Sequence, residues 1–371
     1  QAHKAAYRGV QVDEADLIVR GRGHYTELKD LNAKSGDAWA RGNIAFSSLP
    51  DAISAPVSIR IDFEAQLPLE DTAKLFGGNV AEIINDFESE QLPTAHFTAA
   101  IFNKAYPHFS NRTYFDLYAN SGGPVRYKKV PLDHIDFSLF GRQHSTALRD
   151  INFGFAGGSG SGSIDINTPN DAEPNLRLQL QATGADKDTA LLNLAPILGD
   201  SIPSNKATEG SVTALSLKLH AQGPTADPLK FKGYGDAELL DPKLGALKLL
   251  GPLSTLLEET PLSFTSLTLD RLKTNFQLDE DIITFTPLII NGPSTQILAP
   301  GTLRMSTQEL DMRVSISPFA NLGHPQSALR RISDFVQSPI PNLLQFDLSG
   351  TLDKPRWRSL YDPRNLLPEL K

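Results

Sequence analysis

The side chains that could do chemistry in this sequence stand apart from one another. Its 8 histidines are His3, His24, His96, His108, His134, His144, His220 and His324. No two fall in the HExxH or HxH spacing that brings imidazoles onto one metal ion. There is no cysteine, which removes thiolate nucleophiles, disulfides and Cys-based zinc ligands together. Serines are common, but no G-x-S-x-G elbow occurs. The run GGSGSG at Gly157 to Gly162 lacks the Lys-Ser/Thr ending of a phosphate loop and the G-x-G-x-x-G spacing of a dinucleotide site. It also leads into a strand-like segment, whereas those motifs open helices. Asp279-Glu280-Asp281 lies between Phe276/Leu278 and Ile283/Phe285, so it reads as the tip of a hairpin rather than a calcium site or a catalytic carboxylate pair. Asn111-Arg112-Thr113 is a glycosylation sequon, with meaning only in a secreted eukaryotic protein. The expectation is a protein with no catalytic residues, no metal and no cofactor.

Bulk properties narrow the partners. The net charge is −8 over 371 residues, and Lys and Arg are spread without a run. That argues against nucleic acid, which needs clustered basic surface. A chain of this length has room for two compact domains or one extended domain. No apolar run approaches the roughly 18 residues that span a bilayer. The longest candidate, Leu244 to Leu257, is broken by Lys248, Gly251 and Pro252. A chain that starts at Gln1 rather than Met is expected to have been processed or trimmed, with any anchor removed.

The elements that must carry any function are strands. Val57, Ile59, Ile61, Phe63 and Ala65 share one face while Ser58, Arg60, Asp62 and Glu64 take the other. The same alternation holds at Leu176 to Ala182, Leu215 to Ala221, Leu310 to Ile316 and Leu344 to Leu348. Strict period-2 alternation means half-buried strands, usually antiparallel, with one wet face. Helical stripes are few. One is expected through Phe76, Val80, Ile83, Ile84 and Phe87, with Glu70 and Asp71 at its positive N-terminal end. Others are expected at Leu191 to Leu198, at Leu249 to Leu257 and after Gly323. GGSGSG reads as a tight hairpin or bend, because Phe153 and Phe155 before it and Ile164 and Ile166 after it all alternate. Gly36, Gly42, Gly233, Gly235 and Gly301 read as marks of strand starts. Trp39 and Trp357 each follow a turn signal and read as anchors that pack one ring face.

Two internal repeats organise the pattern. RIDFEAQLPLEDTAKL at Arg60 to Leu75 aligns without gaps to RLQLQATGADKDTALL at Arg177 to Leu192, and both read as strand, turn, capped helix. In LSLKLHAQGPTADPLKF and LLQFDLSGTLDKPRW, Gly223 and Pro228 are spaced as Gly350 and Pro355 are. Each glycine is expected to end an alternating strand, and each proline to set a turn that ends ladder pairing. The second phrase is expected to be the last rung of the sheet.

Many half-apolar strands and few helices leave an apolar face to hide. Two sheets packed as a sandwich, a closed barrel, or a curled sheet with an apolar groove would each do it. A groove open to water is costly unless an apolar ligand occupies it, and acyl chains suit it.

From about Val130 onward the order of elements resembles the C-terminal region of the AsmA-like family of bacterial envelope proteins. The matching phrases include GGSGSGSIDI, EGSVTALSLKLHAQG, KFKGYGDAELLDPKLGALKLLGPLSTLL, SLTLDRLKTNFQLDEDIITFTPLIING, LAPGTLRMSTQELDMRVSIS and FDLSGTLDKPRW. The resemblance implies a mostly β fold: an elongated, curled antiparallel sheet forming an apolar groove, with about four short helices at its edges or ends. It implies one elongated domain over residues 1–371, in which 130–362 is the family-like module and 1–129 supply preceding strands and one helix of the same sheet. It further implies a protein of the periplasm or cell envelope of a Gram-negative bacterium, similar to bridge-like lipid transfer proteins, with an inner-membrane anchor outside this chain. The implied partner is a phospholipid or another acyl-chain lipid. On this reading the lipid-facing set is Leu215, Leu217, Leu219, Phe276, Leu278, Ile283, Phe285, Leu303, Met305, Met312, Val314, Ile316, Phe346 and Leu348. The helix around Leu249 to Leu257 is expected to plug or cap one end. The rival expectation is a closed sandwich or envelope scaffold that binds a protein partner through an exposed strand edge.

Overall fold

The computed structural model describes residues 2–48, 56–76, 81, 84–103, 114–142, 144–168, 173–198, 214–241, 269–293, 295–318, 345–352 and 354–360. It is mostly β, built on open antiparallel sheet. The chain divides into two units, Gln1–Leu178 with Asn193–Gly199, and Gln179–Leu192 with Asp200–Lys371.

The N-terminal unit opens with β1 (Ala2–Tyr7), β2 (Val10–Arg22), β3 (Tyr25–Ser35), β4 (Ala38–Ser48), β5 (Pro56–Gln66) and α1 (Leu69–Phe76). It continues with β6 (Phe87–Ser89), β7 (Thr94–Phe102), β8 (Tyr114–Asn120), β9 (Val125–Tyr127), β10 (Val130–Leu132), β11 (His134–Arg142), β12 (Ser145–Phe155) and β13 (Gly158–Asn167). Strands β1, β2, β3, β4, β5, β7, β8, β11, β12 and β13 pair antiparallel in that order. Strands β6, β9 and β10 form a separate small sheet. Two-residue loops make several hairpins. Arg8-Gly9, Lys128-Lys129 and Ala156-Gly157 all have positive φ at both positions, the geometry whose twist matches that of paired strands. GGSGSG is therefore part of a hairpin, as expected, but only Gly157 is in the turn. The remaining glycines lie within β13, and a Cβ on Gly160 would sit 2.0 Å from the Phe153 ring. Glycine here makes room for an aromatic ring across the strand pair.

Strand β14 (Asn175–Ala185) leads into α2 (Lys187–Leu198), as β5 leads into α1. The first internal repeat thus has one local structure in both copies, strand then helix. Asp186 caps α2, accepting from the Thr189 backbone N–H at 2.8 Å and the Thr189 hydroxyl at 2.6 Å. In α1, Glu70 and Asp71 stand in the first turn as expected. Ala81, Ile84 and Asn85 are also helical, within the expected stripe, but the stripe ends before Phe87. Phe87 opens β6 and its ring meets Tyr127 of β9 at 4.8 Å, so pairing with a distant strand overrides the local period.

The C-terminal unit runs β15 (Ala214–Pro224), a 3-10 turn at Pro228–Lys230, β16 (Lys232–Leu240), β17 (Arg271–Asp279), β18 (Ile282–Asn291), β19 (Thr295–Arg304), β20 (Glu309–Pro318), β21 (Gln345–Thr351) and β22 (Pro355–Ser359). Each strand from β15 to β22 pairs antiparallel with the next. The phrase at the end of β21 needs correcting: Pro355 does not stop the ladder. It opens β22, opposite Gly350, and the first position of an outer strand is one that proline tolerates. Gly223 with Pro228 joins β15 to β16 in the same sense, so both copies of the phrase are turns between neighbouring strands.

Gly42 and Gly301 do not mark strand starts; both lie inside strands, and for one reason. Strand β3 slips register between Leu28 and Leu31 where it meets β4, and Gly42 stands at the slip. Strand β18 slips between Phe285 and Leu288 where it meets β19, and Gly301 stands there. A Cβ would lie 2.1 Å from the Asp62 carbonyl oxygen at Gly42 and 2.3 Å from that of Asp311 at Gly301. A bulge bends and twists its strand, and a glycine opposite lets the next strand close in.

The expected helices at Leu249 to Leu257 and after Gly323, and the sequon at Asn111, lie outside the described residues. Among those described, α1 and α2 are accompanied by further helical residues at Ala81, Ile84 and Asn85.

Candidate functional site

The registers assign every strand residue to one of two faces. In the C-terminal unit, Leu215, Leu239, Leu272, Ile290, Ile297 and Ile316 form one row across β15 to β20. A second row passes through Leu219, Gly235, Phe276, Phe285, Gly301, Met312, Leu348 and Trp357. A third passes through Ala221, Gly233, Leu278, Ile283, Leu303 and Leu310. Leu217 lies on the same face, two residues from Leu215 and from Leu219, and Val314 pairs Phe346 there. All the expected lipid-facing residues except Met305 therefore share one face of one sheet. Met305 is in the turn after β19, where its backbone N–H donates to the Asp281 carbonyl at 2.8 Å.

That face is not uniform. Leu215, Leu217, Leu219, Phe276, Leu278, Ile283, Phe285 and Leu303 are half-buried. Met312, Val314, Ile316, Phe346 and Leu348 are buried, at 1 to 4% exposure, and form a core with Leu269, Ile290 and Ile297. Trp357 packs against this core, its ring edge-on to Phe346 at 6.2 Å. The candidate set thus splits into a packed core on β20 and β21 and a more open stretch on β15 to β19.

A second apolar face, in the N-terminal unit, was not among the candidates. Leu31, Gly42, Phe63, Phe97, Leu117, Leu139, Leu148 and Ile164 pair successively across β3, β4, β5, β7, β8, β11, β12 and β13. Every large side chain in this row is half-buried and none is fully buried. Beside it run Val19, Leu28, Ile44, Ile61, Ala99, Phe115, Gly141, Thr146 and Ile166. On the other side lies a row of small residues, Ala2, Ala15, Ala33, Ala40, Ala65, Ala95 and Ala119. The signal was present in the sequence as the alternation of Val57 to Ala65, but the family resemblance drew attention to residues 130–362.

The opposite faces are polar and cross-linked. Arg41 pairs Glu64 at 2.6 Å and His96 pairs Asp62 at 3.0 Å. Arg149 pairs Asp165, and Arg358 pairs Asp347 at 2.7 Å. Trp39 is on this side, its Nε1–H donating to Gln66 at 2.9 Å while the Arg41 guanidinium lies 5.0 Å over its ring. A shallow depression of about 540 Å³ here is lined by Asp30, Asn32, Lys34, Trp39, Arg41 and Asn43 among others. Its polar groups are largely committed to structure: Asn43 accepts from the Asp30 backbone N–H, and Arg41 and Trp39 are bonded as above. Among the described residues no buried side-chain nitrogen or oxygen lacks a partner, and no group of three or more His, Asp or Glu is placed to hold a metal.

Two polar clusters carry structure rather than chemistry. Asp281, at the tip of the β17–β18 hairpin, accepts from the Ser306 N–H at 2.8 Å, the Ser306 hydroxyl at 2.6 Å and Arg304 at 3.4 Å. These bonds, the Ser306 hydroxyl first, hold its carboxyl below the usual carboxylate range. The acidic tip is a hairpin as expected, but one of its carboxylates pins the next hairpin. Lys187, at the start of α2, reaches Asp241 at 2.6 Å and Asp188 at 3.1 Å. Asp241 is 3% exposed and Lys187 14%. Burial works against the ammonium charge, but the bonds to the two carboxylates outweigh it and raise the Lys187 pKa.

No protein-family model, curated protein or solved structure matches the chain. No helix among the described residues is long and apolar enough to cross a membrane.

Proposed function

We propose that this chain is a non-enzymatic envelope protein that binds or conducts lipid acyl chains along the apolar faces of its sheets. The observation that carries the reading is the row from Leu31 to Ile164. It gives eight adjacent strands an apolar track whose large side chains stay half-accessible. At a strand spacing of about 4.8 Å, eight strands span roughly 30 Å. Apolar surface of that extent marks an interaction site rather than a free surface. An acyl chain fits its chemistry, because each buried methylene contributes about 0.8 kcal/mol and needs no polar partner. The register slips at Gly42 and Gly301 supply bending where a curled, groove-forming sheet needs it.

The half-buried part of the C-terminal face, Leu215 to Phe285, extends the same chemistry; the packed residues from Met312 to Leu348 act as its core. This reading agrees with the resemblance to AsmA-like proteins and with a role in phospholipid transport or outer-membrane maintenance in a Gram-negative envelope.

The test is direct binding. Delipidated protein should take up a fluorescent phospholipid, and Phe97→Asp or Leu117→Asp should weaken uptake while the thermal melt and far-UV spectrum persist. Well-folded protein that binds no phospholipid, and from which no lipid can be extracted after purification, would overturn the proposal.

A further inference from the structure

On the wet face of the N-terminal sheet, Asp62, Thr98, Asp116, Phe140, Ala147 and Asp165 form one cross-strand row. Asp62 is bonded to His96, and Asp165 to Arg149. The Asp116 side chain has no hydrogen-bond or ion-pair partner among the described residues, although Arg142 stands diagonally across from it. Three large aromatic side chains surround it instead. Tyr114 and Tyr118 lie two residues before and after it on β8, and Phe140 lies opposite on β11. They are 46, 49 and 38% exposed, on a face that is otherwise polar. Elsewhere in this unit, aromatic rings carry cations of the chain's own: Arg41 lies over Trp39 and Lys128 over Tyr127. Among the described residues, Tyr114, Tyr118 and Phe140 carry no such cation and do not stack on one another.

We propose that Asp116, Tyr114, Tyr118 and Phe140 form a seat for an organic ammonium group of the choline type. An unpaired carboxylate ringed by uncovered aromatic faces calls for a cation, because the negative faces of the rings add to the charge of the carboxylate. The spacing fits. Side chains on a strand stand roughly perpendicular to the sheet. Each tyrosine is about 6.6 Å from Asp116 along the strand, and the Phe140 Cβ is about 5 Å away across it. An ammonium held over the Asp116 carboxylate can meet all three rings within about 6 Å, the reach of a cation–π contact.

The chemistry selects against other occupants. A hard metal ion needs several oxygen ligands, and one carboxylate supplies too few. A sugar or an apolar group could stack on the rings but would leave the Asp116 charge unanswered. On the fourth side stands Thr98, a short side chain, so the substituent on the ammonium has room to leave the seat. A free soluble ammonium and the headgroup of a choline lipid present the same chemistry here. The seat lies on the face opposite the row from Leu31 to Ile164 and does not depend on what that row binds.

The test is calorimetric titration of the intact chain with choline and with its uncharged carbon isostere. Choline should bind, and the isostere should bind about tenfold more weakly or not at all. Asp116→Asn removes the charge and Phe140→Leu removes a ring face while keeping apolar bulk. Each should weaken choline binding about tenfold and leave the thermal melt unchanged, since both side chains are exposed. Vesicles then assign the source. Retention on phosphatidylcholine but not phosphatidylglycerol vesicles, lost in Asp116→Asn, puts a lipid headgroup in the seat; choline binding without vesicle retention puts a free ligand there. A folded chain that binds no choline overturns the proposal. So does choline binding no tighter than that of the isostere, or binding that both variants leave unchanged.

Discussion

Phe97 in the N-terminal unit and Phe346 in the C-terminal unit hold comparable places. Each sits on the apolar face of an antiparallel sheet, Phe97 between Phe63 and Leu117 and Phe346 beside Val314, with the Trp357 ring edge-on to it. Phe346 is 1% exposed and belongs to a cluster of buried residues. Phe97 is half-buried, as are Phe63 and Leu117 on either side. The same period-2 grammar has produced a packed core in one place and an accessible apolar surface in the other. Alternation therefore fixes which face is apolar, while the degree of burial depends on what lies over that face.

The largest expected effect that tests this difference is in the core. Phe346→Ala should destabilise the chain by about 3–5 kcal/mol, and Phe97→Ala by much less, measured by denaturant melts. Equal losses would mean that the two faces are packed alike. The Lys187–Asp241 pair should come next. Lys187→Met removes the ammonium partner of the buried Asp241, at a cost of about 3 kcal/mol, and adding Asp241→Leu should recover part of it. Gly42→Val and Gly301→Val come third and should behave alike, each losing about 1–3 kcal/mol by forcing a side chain onto a neighbouring backbone. A large effect at only one of them would show that the two bulge-and-glycine sites are not equivalent.

The smallest effect is at Asp281. Its folded pKa is lowered, so its contribution is present above the unfolded carboxylate range and is lost as pH falls through the folded value. Ser306→Ala should therefore lower stability at neutral pH and leave it nearly unchanged in strong acid. A Ser306→Ala penalty that persists at low pH would assign the effect to packing.

Much of the strand content was legible because alternation is a local signal. β5, β14, β15, β20 and β21 lie where Val57, Leu176, Leu215, Leu310 and Phe346 place them. The hairpin at Asp279 to Asp281 and the strand-to-helix repeat were legible for the same reason. What escaped was set by partners distant in sequence. Phe87 is a strand residue because Tyr127 receives it. Gly42 is fixed by the approach of Asp62, and Gly301 by that of Asp311. Lys187 meets Asp241 across an intervening strand pair. The candidate residues share one face, as alternation implies, with Met305 the exception. Which of them are sealed into the core was not readable, because burial depends on three-dimensional packing and not on period.

The order in which strands pair has a consequence for how the chain is made. From β15 to β22 every strand lies against the one just before it, and most of the N-terminal sheet follows the same order. Most of these pairs close a short loop, while β16 with β17 (Leu240 to Arg271) and β20 with β21 (Pro318 to Gln345) close longer ones, and loop-closure cost grows only slowly with length. Such a sheet can grow rung by rung in chain order as the polypeptide emerges, with pauses at the two long connections. Each step then covers one sticky edge and presents the next, so aggregation risk during synthesis is confined to the newest strand.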